Sequence, residues 1–214
     1  MKLIKKFLLL YIAIITSCGT KQETQDSRSM KVDQYDVDIG EKLDSEDWNC
    51  EPTQEDNICY PRDWKPVDQT KFTFFSYLNN DDDNTFFVVA KYDLVELGMT
   101  DKDYLKEVYR QLKTDTVEIF EEYSFKELIY ENRNSSYYGE FSTQVQSKNY
   151  FTYTMYTVKG GSLFDITLKV EKRYKDNYYK QFQNILYNIK TDNIYLFDFK
   201  EEIKEVKSVN LEGF

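Results

Sequence analysis

Residues 149–170, "NYFTYTMYTVKGGSLFDITLKV", hold two runs of alternating side chains on either side of Lys159-Gly160-Gly161. In the second run Phe164, Ile166, Leu168 and Val170 fall on one side, and Asp165, Thr167 and Lys169 on the other. A period of two with β-branched and aromatic residues marks β-strands, and the paired glycines mark the turn of an antiparallel hairpin. The alternation predicts one buried and one solvated face.

Further strands are expected on both sides of this hairpin. "KFTFFSYL" and "TFFVVAKYDL" flank "NNDDDN", residues 79–84, whose Asn and Asp content suits a turn. Two more strands are expected at about 124–131 and 136–145, the latter containing Gly139, a strand glycine of the kind that permits close backbone approach or a bulge. Between the first strand pair and the second, "TDKDYLKEVYRQLKTD" opens with Thr100 and Asp103 in capping-box spacing, and Tyr104, Leu105, Val108, Tyr109 and Leu112 recur at helical period. A second helix follows the hairpin, with Asp176 as the expected cap and Tyr178, Tyr179, Phe182, Ile185, Leu186 and Ile189 along one stripe. Two strands, a helix, four strands and a helix make an α+β fold, an antiparallel β-sheet covered by two amphipathic helices.

From about 72 to 190, "FFVVAKYDL", "DYLKEVYRQLK", "YYGEF", "YFTYTMYTVKGGSLFDITLKV" and "YYKQFQNILYNIK" resemble, in order and spacing, the PsbP-like sandwich. The resemblance rests on aromatics and element order and covers just over half the chain. It implies a binding or assembly factor in preference to an enzyme, and it transfers no functional residue to a position here.

The N-terminus carries Lys2, Lys5 and Lys6, an apolar stretch from Phe7 to Ile15, and the small residues Thr16 and Ser17 before Cys18. This is a three-part export signal, and its apolar run is too short to span a bilayer. Ile15-Thr16-Ser17-Cys18 resembles the lipobox of bacterial lipoproteins. The resemblance implies that Cys18 becomes the first mature residue and is lipidated, with two or three acyl chains holding the protein on a membrane. Residues 1–17 are then a lipoprotein signal peptide, and 18–47, polar and poor in apolar residues, a tether. Gly19 in place of Asp favours the outer over the inner membrane by analogy with sorting rules elsewhere.

Removing the signal takes away three lysines and no acid, moving the net charge from -10 to about -13. Such a chain is repelled by nucleic acid, and its sign opposes polybasic attraction to anionic lipid. Histidine is absent from the sequence, which removes the imidazole of Ser-His-Asp and Cys-His acyl-transfer sites and of most catalytic zinc sites. No Gly-rich phosphate loop and no cofactor motif occurs.

Cys50 and Cys59 are expected to pair in an oxidising compartment and to staple residues 48–71, which hold both tryptophans and all three prolines, into an ordered loop. In that loop Trp48 and Trp64 are read as plugs against the domain, a ligand platform being the rival reading. Residues 191–214 read as a charged tail with one short strand, "IYLFDF". The turn at 79–84 reads as solvated acids, with a calcium site as the rival, although the alternation and terminal Glu of an EF-hand loop are missing. Glu121 with Glu122, or Glu127 with Glu131, are candidate carboxylate pairs for a glycosidase, but nothing in the sequence fixes their separation across a cleft, and they are read as exposed charge for solubility.

The function expected is a membrane-anchored, non-catalytic envelope module with a protein partner. A carboxylate-dependent polysaccharide hydrolase and a toxin-capturing immunity lipoprotein are the alternatives.

Overall fold

The structure is a computed structural model that describes residues 48–52, 56–68, 72–78, 82–114, 119–130, 135–192, 194–197 and 203–210. Cys18, the signal segment and the tether lie outside the described residues, as do Asn79 to Asp81 of the acidic turn.

The elements run β1 Trp48–Pro52, β2 Asp56–Pro61, β3 Lys65–Pro66, β4 Phe74–Tyr77, β5 Phe86–Asp93, α1 Leu94–Leu97, α2 Asp101–Thr114, β6 Ile119–Tyr130 and β7 Ser135–Val145. They continue with β8 Lys148–Lys159, β9 Ser162–Glu171, α3 Lys175–Asn188, β10 Lys190–Thr191, β11 Ile194–Tyr195 and β12 Ile203–Ser208. An eight-stranded antiparallel sheet has the order β12-β6-β7-β8-β9-β5-β4-β3, and a four-stranded sheet the order β1-β2-β10-β11. The protein is mostly antiparallel sheet with few helices.

The β8–β9 hairpin lies at the centre of the large sheet, turning through Gly160 and Gly161 at positive φ. Its register sets the two faces. Phe164, Ile166, Leu168 and Val170 lie opposite Thr157, Met155, Tyr153 and Phe151 on one side, while Leu163, Asp165, Thr167 and Lys169 lie opposite Val158, Tyr156, Thr154 and Thr152 on the other.

The Ile166 face packs with Phe182, Ile185 and Leu186 of α3 and with Ile58, Tyr60 and Trp64. Burying each such side chain contributes on the order of 1.5–3 kcal/mol. The Asp165 face packs Phe125, Tyr137, Phe141, Tyr156 and Leu163 with Tyr104, Leu105 and Tyr109 of α2. The capping box at Thr100 forms: the Asp103 amide donates to Thr100 Oγ1 and the Thr100 amide to Asp103 Oδ2, each at 3.1 Å.

Four expectations are corrected. The polar side of β9 is not solvated, since Asp165, Thr167 and Lys169 are 2 %, 3 % and 1 % exposed. Asp176 does not cap α3; a 3₁₀ turn, Lys172–Tyr174, leads into that helix, Tyr174 occupies the cap position, and Asp176 lies in the first turn. Strands β1 and β2 pair antiparallel with Cys50 and Cys59 directly opposed and bonded, so the staple joins a strand pair and not an irregular loop.

The segment from 191 onward is built into the fold. Thr191 and Ile194–Tyr195 extend the small sheet, Leu196 and Phe197 enter the core, and β12 forms the edge of the large sheet beside β6. The few apolar residues among its charges suffice for this: Leu196 reaches the α3 face of the core and Val206 packs against it.

Candidate functional site

The most unusual chemistry lies on the Asp165 face. Strand β9 places Asp165 at the sheet centre, flanked by Tyr156 of β8 and Ala90 of β5 as register partners. Helix α2 lowers Tyr104 onto it, and the Tyr104 hydroxyl donates to Asp165 Oδ2 at 3.0 Å. Thr167 Oγ1 donates to Oδ1 at 3.0 Å, and the Thr154 and Thr167 hydroxyls are 2.7 Å apart. The Tyr104 ring lies 5.4 Å from that of Tyr92 and 5.9 Å from that of Tyr156.

Burial disfavours an ionised carboxylate, while donated hydrogen bonds favour it. At Asp165 burial is the larger effect, and the carboxyl is pushed up to about 6 despite the Thr167 and Tyr104 hydroxyls. Tyr92, Tyr104 and Tyr156 are raised from the ordinary phenol value, first by burial; the negative charge of Asp165 raises each further.

A second polar cluster closes one end of the same face. Asp82 is buried; its Oδ1 accepts from the Asn84 amide at 3.0 Å, and its Oδ2 from Lys148 Nζ at 3.1 Å and Tyr150 Oη at 3.0 Å. Burial alone would raise this carboxyl. The bonds from the Asn84 amide, Lys148, Tyr150 and the Asn84 side chain together outweigh it and hold Asp82 below the usual value. The acidic turn is therefore not uniformly solvated: Asp83 is exposed, while Asp82 is folded in as the acceptor that fixes the start of β8. Its carboxylate oxygens already face donors from the chain, the opposite of an open calcium cradle. Lys169 Nζ lies 5.1 Å from the centre of the Tyr150 ring, a cation–π contact. Nearby on this face Thr143 Oγ1 and Thr152 Oγ1 are buried without a hydrogen-bond partner.

Of the residues singled out from sequence, Cys50 and Cys59 are joined. Trp64 is buried, with its ring 5.6 Å from Phe87, and Trp48 packs half-buried against the same core, as plugs would. Glu127 accepts from Tyr137 Oη at 3.3 Å, and Glu131 lies outside the described residues. The side chains of Glu121 and Glu122 are likewise outside them. Among the described residues no group of three or more Cys, Asp or Glu could hold a metal ion. Asp165 was legible only as one polar residue in an alternating strand; four neighbours on different strands and on α2 make it a site. On the opposite side of the molecule a shallow surface depression is lined by Tyr174, Asn177, Tyr178 and Gln181.

No family model matches the chain, and no curated protein matches it. Among solved structures it is similar to a cyanobacterial PsbP, CyanoP, from Synechocystis, at 13 % identity, covering 68 % of this chain and 92 % of that one with a TM-score of 0.47. It is also similar to a protein of Bacteroides thetaiotaomicron at 15 % identity and a TM-score of 0.42, covering 68 % of this chain and 48 % of that one, about half its length. A protein of unknown function from Pseudomonas aeruginosa matches at 9 % identity and a TM-score of 0.40, covering 66 % of this chain and 94 % of its own.

Proposed function

We propose that the protein is a lipid-anchored, non-catalytic binding module of the bacterial cell envelope, PsbP-like in fold, tethered through Cys18 and presenting its folded domain to a protein partner. The observation that carries this reading is the Cys50–Cys59 bond, formed between directly opposed residues of the β1–β2 strand pair. Such bonds persist in oxidising spaces outside the cytoplasm, where the export signal and Cys18 would deliver the chain. Element order supports the PsbP-like assignment, with α2 and α3 packing on opposite faces of the antiparallel sheet.

The treatment of carboxylates favours binding over hydrolysis. A glycosidase needs two acids facing a shared cleft, one of them with a raised pKa. The described carboxyl that is raised, Asp165, is 2 % exposed and spends its two oxygens on Tyr104 and Thr167. It holds a helix to a sheet.

The test is intact-mass analysis of protein from fractionated cells. The expected result is a chain beginning at Cys18 with added diacylglyceryl and acyl mass in the membrane fraction, and release of Cys18→Ser from that fraction. An unmodified Cys18 thiol, or a chain retained in the cytosol, overturns the anchor. Turnover of a polysaccharide by the purified domain overturns the non-catalytic reading.

A further inference from the structure

We propose that Asp165 is a pH-operated latch on helix α2, whose docking over the Asp165 face is tight when this carboxyl is protonated and loosened when it is ionised. This goes beyond the binding role and does not depend on the lipid anchor.

The geometry is that of a latch because the carboxyl bridges two separate layers. Asp165 belongs to the central strand β9, and its Oδ2 is held by Tyr104, a residue 61 positions away on the first turn of α2. Every element packed around it contributes a neutral group. From α2 comes the Tyr104 phenol; from β5, Tyr92 and the methyl of Ala90; from β8, Tyr156 and the Thr154 hydroxyl; from β9 itself, Thr167 and Leu163. The cation on the same face, Lys169, lies four residues along β9, roughly 13 Å at strand rise, with its ammonium over the Tyr150 ring. The negative charge is thus met by hydroxyls alone among these groups, and the low-dielectric setting makes ionisation costly.

The direction follows from the protonation balance. With α2 docked the carboxyl is pushed up to about 6; exposed to water by undocking, it returns to its ordinary value of 3.8. The undocked form therefore loses its proton first as pH rises. Docking is strongest below about pH 3.8 and weakens until the docked carboxyl has itself ionised, near pH 6. Over that window the undocking equilibrium rises about a hundredfold, the factor set by the gap between the two values. Loosening α2 uncovers the inner surfaces of Leu105 and Tyr109 and the aromatic groups Phe125, Tyr137 and Phe141 beneath them.

The test is amide hydrogen exchange on the full chain between pH 4 and 7, with rates corrected to protection factors, alongside carbon NMR of the Asp165 carboxyl. Protection of the α2 amides is expected to fall about a hundredfold while β8 and β9 stay protected, and the carboxyl is expected to titrate near pH 6. In Asp165→Asn the α2 protection should be flat with pH. Tyr104→Phe, which removes a donor to the carboxylate, should move the titration to higher pH and extend the loss of protection upward from an unchanged onset near pH 3.8. The proposal is overturned if α2 protection does not change with pH, if all elements lose protection together, or if the pH dependence survives in Asp165→Asn. Should that variant fail to fold, the wild-type titration and the Tyr104→Phe shift decide the matter by themselves.

Discussion

Gly139 offers the sharpest test of how the Asp165 face is packed. It lies in the middle of β7, directly opposite Phe125 of β6 and Thr154 of β8. A Cβ added there would stand 2.5 Å from Phe125 Cε1, 2.8 Å from Thr154 Cγ2 and 2.9 Å from Phe125 Cδ1. Carbon atoms pack at about 3.5–4.0 Å, so the ring or the strand must move by about an ångström. Phe125 is buried and its ring centroid lies 6.4 Å from that of Phe141, which limits its retreat. Overpacking of this kind costs about 1–3 kcal/mol, against which alanine recovers about 0.4–1 kcal/mol by restricting the unfolded chain. Gly139→Ala should therefore destabilise by about 1–2 kcal/mol, read as a lower midpoint in urea at unchanged slope. Phe125→Leu in the same chain should relieve part of the loss, giving a favourable coupling of about 1 kcal/mol in a double-mutant cycle. A Gly139→Ala protein as stable as wild type, or costs that simply add, would refute the claim that the Phe125 ring needs this glycine.

Three further outcomes are expected. Replacing Cys50 and Cys59 together by alanine should cost about 2–3 kcal/mol by freeing the unfolded chain across a separation of nine residues, measured by non-reducing denaturant titration. Thr100→Ala should remove the hydroxyl that accepts from the Asp103 amide and lower stability by roughly 1 kcal/mol, with the loss of exchange protection concentrated in the first turn of α2. Asp82 behaves oppositely to Asp165: its carboxyl is held below 3.8 in the fold, so its contribution is present above that pH and lost as pH falls through the lower folded value. Asp82→Asn should be less stable than wild type at pH 7, and the difference should shrink in denaturation series taken down to pH 2.

Much of the local structure was legible because its causes are local. Thr100 and Asp103 announce the start of α2 through a reciprocal pair of bonds only three residues apart. Gly160 and Gly161 announce the β8–β9 turn because the chain there needs positive φ. Asp176 misled because an acidic residue near a helix start is compatible with the cap or with the first turn, and the 3₁₀ turn at Lys172–Tyr174 decided between them.

The second strand of the opening hairpin shows most clearly what the sequence alone determined. The alternation in 163–170 specified which side chains share a face, since that follows from the pleat of a single strand. Whether the polar face meets water does not follow from the strand. It depends on α2 arriving from some sixty residues earlier in the chain and laying Tyr104 on Asp165, a contact no local period encodes. The residue types of the site, the helix and the strand were written in the sequence; the dry surroundings that turn an ordinary aspartate into a shifted carboxyl arose only when distant elements excluded the solvent between them.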